Sequence, residues 1–197
     1  MSPRPREFDP DAVLDKALQV FWANGYEATS IQDLVDAMGI NRFSLYATFG
    51  DKHRLYLAAC ERYRAMMNRS ALGALRHTAS GLEAIRRFFR IQEDYYASEA
   101  GRGGCLMTNA LVEKAVHDEE IRRGALQFST QVENAFYGAL VRARGGGEIA
   151  TREDLRQLAS FLASVAHANN VVGKVQGAER VRTNARLALR LLECAGA

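Results

Sequence analysis

Proline is scarce in this chain, with three in 197 residues, at positions 3, 5 and 10. Nothing after Pro10 forces a helix to break, because no later residue lacks its backbone N–H. Runs of alternating Val and Ile are also few, whereas Ala, Leu, Arg and Glu dominate. A sheet-based fold is thereby disfavoured and an all-α chain is predicted. The three cysteines, Cys60, Cys105 and Cys194, are odd in number and far apart, which argues against a disulfide framework and for reduced thiols inside a cell. No apolar run approaches the roughly 18 residues of a membrane span, and the N-terminus lacks the apolar core of a signal peptide. The expectation is a cytoplasmic protein without a membrane partner.

Several chemistries are missing as well. The four histidines (His53, His77, His117, His167) show no spacing to Cys, Asp or Glu that resembles a closed metal site. The local His117-Asp118-Glu119 cluster reads as a helix start, so no metal is expected. Ala100–Gly104 is a glycine loop without the Lys-Ser/Thr ending or preceding strand of a phosphate loop. No nucleophile–base–orienter set, paired carboxylates or cofactor fingerprint occurs, so no cofactor is expected. A helical enzyme using an aromatic pocket is the weaker alternative.

Hydrophobic residues make up 48% of the chain, enough for a sizeable core, and the net charge is +3. The distribution of charge says more than its sum. Residues 41–69 hold Arg42, Lys52, Arg54, Arg62, Arg64 and Arg69 against Asp51 and Glu61, a net of +4, whereas residues 7–36 are mostly acidic apart from Lys16. A positive field that begins near residue 42 suits a surface facing DNA.

Residues 29–49, TSIQDLVDAMGINRFSLYATF, supply the surface. Thr29 with Gln32 reads as a capping box opening a helix to Met38, with Ile31, Leu34, Val35 and Met38 on one apolar face. Gly39 suits a left-handed C′ position. Asn41 caps a second helix to about Thr48, with Leu45 and Phe49 inward. Helix, glycine turn and helix at these lengths fit a helix-turn-helix. Its second helix presents Arg42, Phe43 and Ser44 first, where base edges are met; Arg suits guanine and Phe a thymine methyl. The hydroxyls of Tyr46 and Thr48 suit phosphate oxygens. The plainer reading is a short amphipathic pair in a helical core.

Ser44-Leu45-Tyr46-Ala47-Thr48-Phe49-Gly50-Asp51-Lys52, preceded by Thr29-Ser30-Ile31 and Met38-Gly39-Ile40, resembles the DNA-binding domain of TetR-type (tetracycline-repressor-like) bacterial regulators over about residues 9–63. The later part is similar only in helix pattern and length, although the Gly-Cys-Leu-Met-Thr-Asn-Ala-Leu stretch resembles a helix start in one subgroup. Arg42-Phe43 departs from the smaller residues of many members. The resemblance implies a homodimeric, all-helical repressor that leaves a palindromic double-stranded operator when a small molecule binds. It also implies DNA-backbone contacts from Tyr46 and Lys52; phosphate contacts from Thr29 and Thr48, and a DNA contact from Ser30, are expected beside them. The expected order is a basic arm at 1–8, whose Arg4 and Arg6 can reach phosphates or a narrow minor groove, a helix-turn-helix domain at 9–50, and a helical ligand-binding and dimerisation domain at 51–197, about nine helices in all.

Cap signals divide the rest. Asp9 and Pro10 open the first helix, which carries Phe21 and Trp22 as core, and Asn24-Gly25 ends it. Asp51 caps a long helix to about Asn68, and a short one follows near 71–77. Ser80 with Glu83, Asp118, and Thr151 with Asp154 open later helices. Tyr63, Met66, Met67, Phe88, Phe89, Tyr95, Tyr96, Met107, Asn109, Phe128, Phe136, His167 and Asn170 exceed one core stripe, and as a set predict a pocket for an apolar or aromatic ligand. Cys105, after two glycines and at a helix start, is positioned for thiolate chemistry, so a repressor sensing oxidants or electrophiles is the alternative. The last two helices, about 154–172 and 179–194, are apolar on more than one side. Leu158, Leu162, Val165, Asn169, Leu187 and Leu191 are therefore the expected dimer face of a four-helix bundle.

Overall fold

A computed structural model describes residues 8–194 of the chain. Arg4 and Arg6 lie outside the described residues. Nine α-helices follow in order among those residues: α1 (Pro10–Asn24), α2 (Ile31–Met38), α3 (Arg42–Phe49), α4 (Lys52–Arg69), α5 (Ala71–His77), α6 (Gly81–Ala97), α7 (Leu106–Glu113), α8 (Glu119–Gly145) and α9 (Leu155–Cys194). A 3-10 turn (Glu99–Gly103) occupies most of the expected glycine loop. The fold is all-α, as predicted.

Helix ends follow local cap chemistry. Asp9 accepts the Asp11 amide ahead of Pro10, Asn41 accepts that of Ser44, and Asp51 accepts that of Arg54. Each satisfies an amide that the first turn leaves without a partner. Gly39 closes α2 in the left-handed region, at φ 72°. Two expected caps move and a third changes its partner. Ser30, not Thr29, caps α2, and its reciprocal partner is Asp33 rather than Gln32. Asp154 alone caps α9, accepting from Arg156 and Gln157, while Thr151 is buried and accepts from Glu153. Ser80 does cap α6, but the carboxylate completing that cap is Glu148, which takes the Ser80 hydroxyl at 2.8 Å and the Leu82 amide at 2.7 Å. Glu83 is drawn off to Arg86 and Arg90. The label α9 covers the two terminal helices expected, which follow each other directly and are divided at Gly177, whose φ of 70° and ψ of −169° are non-helical.

The first helices build a small core around Phe21, Leu34, Val35, Met38, Leu45, Leu55 and Tyr56, all buried. Phe21 meets Tyr56 edge-on at 5.0 Å, and Tyr26 meets Tyr56 at the same distance. The core continues without a break into α6, α8 and α9, where Phe88, Phe89 and Phe136 cluster with centroids 4.9–5.8 Å apart. Gly81 lets α6 begin directly against α8: a Cβ there would lie 2.1 Å from the Ala139 carbonyl oxygen and 2.4 Å from the Ala143 nitrogen. Backbone cannot yield as a flexible side chain can. Gly81→Ala is therefore expected to cost about 1–3 kcal/mol by forcing the helices apart, read as a lower urea midpoint with an unchanged slope.

Candidate DNA-reading face and ligand cavity

Helix α3 stands outward on its Asn41 cap. Leu45 alone of its residues is fully buried, anchoring it to the core below. Arg42 is exposed and its guanidinium donates to Gln32 Oε1 at 3.0 Å, so α2 holds it at the front of the helix. Phe43 is 82% exposed, and Tyr46 is 46% exposed. An unsupported phenylalanine in water is a cost without a partner, which fits an apolar base contact better than packing on α2. Ser44 and Thr48 are half-buried and Ser30 is exposed. Lys52 lies with its ammonium 4.3 Å over the Tyr26 ring.

Thr29 does not join this face. It is 1% exposed, and its hydroxyl donates to the Gly25 carbonyl at 2.6 Å, tying the α1–α2 turn together. The positive field is also narrower than the sequence suggests. Arg62 is taken by Asp15 at 2.7 Å and Asp11 at 3.5 Å on α1, and Arg64 by Glu61 at 3.0 Å.

Behind this unit lies a cavity of about 250 Å³. Tyr63, Met66, Met67, Phe88, Tyr95, Phe128, His167 and Asn170, all anticipated, line it. Adjacent side chains on a helix point about 100° apart, which separates several expected pairs. Phe88 faces the cavity while Phe89 turns to Phe136 in the α6–α8 core. Tyr95 faces it while the Tyr96 ring lies against Gly173 of α9. Phe89, Phe136 and Tyr96 are thus core rather than lining. Met107 faces a separate cleft with Cys60 and Arg64. Asn109 sits outside, donating to the Gly103 carbonyl at 2.8 Å. The lining also includes Trp22, Gln92, Cys105 and Val132, which the sequence reading did not assign to it.

Trp22 is the instructive omission. It fell within an apolar stripe and read as core. Its indole N–H donates to the Gly104 carbonyl at 2.7 Å, and its ring packs on Tyr63 and Tyr95 at 4.9 and 6.0 Å. The need of a half-buried indole for an acceptor was the available signal. Among the described residues no Asp, Glu, Lys or Arg lines the cavity. Burial lowers the His167 imidazole below its ordinary value, keeping it neutral at physiological pH, and raises the Tyr95 phenol to about 12. Cys105 is the N-cap residue of α7, buried, with no side-chain capping bond.

Helix α7 joins cavity and DNA unit. Its far end carries Glu113, whose carboxylate accepts the amides of Tyr26 at 3.1 Å and Glu27 at 2.7 Å. Next to it, Lys114 pairs with Glu27 at 2.7 Å. On α9 the expected interface divides. Leu187 and Leu191 are exposed, and Leu158 and Val165 are half-buried. Leu162 and Asn169, however, are fully buried within the protomer, because α9 already packs on α6 and α8.

This arrangement is that of a helix-turn-helix DNA-binding regulator. The family described as "Bacterial regulatory proteins, tetR family" matches residues 13–59, and "Tetracyclin repressor-like, C-terminal domain" matches residues 81–189. The chain is similar to the uncharacterized HTH-type transcriptional regulator YezE of Bacillus subtilis, 34% identical over 96% of this chain and 99% of that protein. It is similar to the HTH-type transcriptional repressor ComR of Escherichia coli, 32% identical over 81% of this chain and 76% of that one. Among solved structures it resembles a cysteine mutant of the TetR family regulator CifR complexed with 26-bp double-strand operator DNA, with a TM-score of 0.85, 30% identity and 96% and 99% of the two chains covered. The chain belongs to the TetR family of bacterial transcriptional regulators.

Glu113→Ala would leave two amides of the α1–α2 turn without their acceptor. It is expected to cost about 1–2 kcal/mol in chemical denaturation, with the helical content of the folded protein unchanged by circular dichroism.

Proposed function

We propose that the chain is a cytoplasmic, homodimeric repressor that leaves a palindromic operator when a small, uncharged, largely apolar or aromatic ligand fills the cavity. One observation carries this reading: α4 packs against the reading helix, α1 packs against α2 and α4, and α1 and α4 also supply Trp22, Tyr63, Met66 and Met67 to the cavity wall. A cavity of about 150 Å³ holds a benzene, so about 250 Å³ suits one or two rings. The names of ComR, a repressor, and of CifR on its operator support the DNA half of the reading.

In the dimer, Leu187 and Leu191 with the exposed Phe161, Val171 and Val175 of α9 meet their counterparts. Two copies of α3 then enter major grooves about 34–36 Å apart. Arg42, Phe43 and Ser44 read bases, while Ser30, Tyr46, Thr48 and Lys52 hold phosphates. Ligand entry tilts α4 and changes the spacing of the two reading helices, so that both half-sites no longer fit together.

A second reading rests on Cys105, which faces the cavity from the start of α7. There an oxidant or electrophile entering the cavity modifies the thiol and releases the DNA. On that reading N-ethylmaleimide lowers operator affinity of the wild type but not of Cys105→Ser; equal loss in both dismisses it.

The primary test is a fluorescence-polarisation titration against DNA upstream of the coding region, at two salt concentrations. Arg42→Ala is expected to relax selectivity at one base position by about 1–3 kcal/mol. Lys52→Ala should weaken all sequences alike and reduce the salt slope by about 1. Wild-type affinity in both variants would displace the reading face from α3.

A further inference from the structure

Four side-chain amides lie head to tail between the C-terminal part of α9 and the cavity. Asn184 Nδ2 donates to Asn169 Oδ1 at 2.9 Å, and Asn169 Nδ2 donates to Gln92 Oε1 at 3.0 Å. Gln92 Nε2 donates to Asn170 Oδ1 at 2.9 Å, and Asn170 Nδ2 to Thr108 Oγ1 at 3.3 Å. Asn169 is 0% exposed and Gln92 9%. Only Gln92 and Asn170 reach the cavity.

The direction of this chain is fixed at one end of Gln92. The Ala166 carbonyl oxygen, 2.9 Å from Gln92 Nε2, can only accept, so it draws the NH₂ end of Gln92. The amide of Asn169 donates to the other end, the Gln92 oxygen. With both ends committed, the second Gln92 hydrogen takes Asn170 Oδ1, which lies also 3.2 Å from the Tyr96 hydroxyl. The oxygen of Asn170 is therefore spent inside the protein, and one of its two amide hydrogens has no acceptor among the described residues. The neighbouring polar groups are turned elsewhere. The Tyr95 hydroxyl donates towards the Ala100 and Gly104 carbonyls, and His167 Nε2 is 3.2 Å from Ser129 Oγ.

We propose that this amide chain sets the hydrogen-bond polarity of the cavity, with Asn169 as its positioning residue. The site then selects uncharged ligands that carry a hydrogen-bond acceptor beside an apolar body. The proposal rests on the ligand-cavity reading above and adds the class of ligand. Asn169 acts through Gln92 without touching the cavity. Without its amide, the buried Gln92 oxygen has no donor, a costly state. That oxygen turns to the amide of Asn170 and consumes the hydrogen a ligand would take.

Two shape-matched probes, acetophenone and isopropylbenzene, test this by calorimetric titration of the full chain. The wild type is expected to bind acetophenone about five- to tenfold more tightly. In Asn169→Leu the gap should close to about twofold or less, with isopropylbenzene binding unchanged. A merely structural role for Asn169 would weaken both probes in proportion and leave their ratio intact. Asn170→Leu removes the donor itself and must also erase the gap, so it carries the test if Asn169→Leu does not fold. A gap that persists in the folded variants, or equal binding of both probes to the wild type, overturns the amide chain and leaves the cavity standing. Binding of neither probe overturns the cavity reading and the proposal together.

Discussion

The hydrogen bond from the Trp22 indole to the Gly104 carbonyl joins the DNA-reading part of the molecule to the part that encloses a cavity. This half-buried indole N–H satisfies its need for an acceptor there, which favours holding the last turn of α1 and the loop before α7 in their relative positions. The glycines of that loop make the approach possible. A Cβ on Gly103 would come within 3.2 Å of the indole, and Gly104 takes φ 65°. One side chain thus serves as the end of a DNA-unit helix and as a wall of the cavity.

Two struts carry the same coupling further. Helix α4 begins with Lys52 beside the reading helix and brings Tyr63, Met66 and Met67 to the cavity. Helix α7 begins beside Cys105 at the cavity and ends with Glu113 gripping the Tyr26 and Glu27 amides. Near it, Asp118 at the start of α8 lies 2.7 Å from His53 of α4. The DNA unit is therefore held at three places by elements that also border the cavity. A ligand shifts such a system only through different affinity for its two arrangements. In the proposed switch, Trp22, Tyr63 and Cys105 are where that difference arises, since each lines the cavity and lies on α1, on α4 or at the start of α7.

Helix order and nearly every helix end were legible in the sequence because capping is local chemistry: Asp9, Asn41, Asp51, Ser80 and Asp118 act within their own first turn. The errors fall where two neighbours could both serve and distant packing chose. Thr29 is a good cap, but its hydroxyl went to Gly25 and Ser30 took the role. Glu83 suited a capping box, but Glu148, far along the chain, reached the helix first. The same limit governs the cavity. Periodicity placed Phe88 and Phe89, Tyr95 and Tyr96, and Asn169 and Asn170 on the right helices. It could not say which of each pair turns inward, because that depends on the packing of α6 against α8 and α9.

The distribution of cations bears on how such a protein could release DNA. Of the six cations between residues 41 and 69, Arg62 and Arg64 are spent on carboxylates of the protein itself. Among the described residues Arg42, Lys52 and Arg54 remain near α3, where Arg42 is hydrogen-bonded only to a neutral amide. Each phosphate neutralised contributes a salt slope of about 0.9, so a face with few cations binds a single half-site weakly. In the proposed dimer, affinity then comes mainly from engaging two half-sites at once, the second at the high effective concentration set by the first. Such binding is fragile towards geometry. A change in spacing too small to disturb any one contact forfeits the second half-site, and the first is too weak to hold alone. In the proposed ligand-released switch, sparse positive charge among the described residues of the reading face and tight mechanical connection to a cavity are thus complementary requirements.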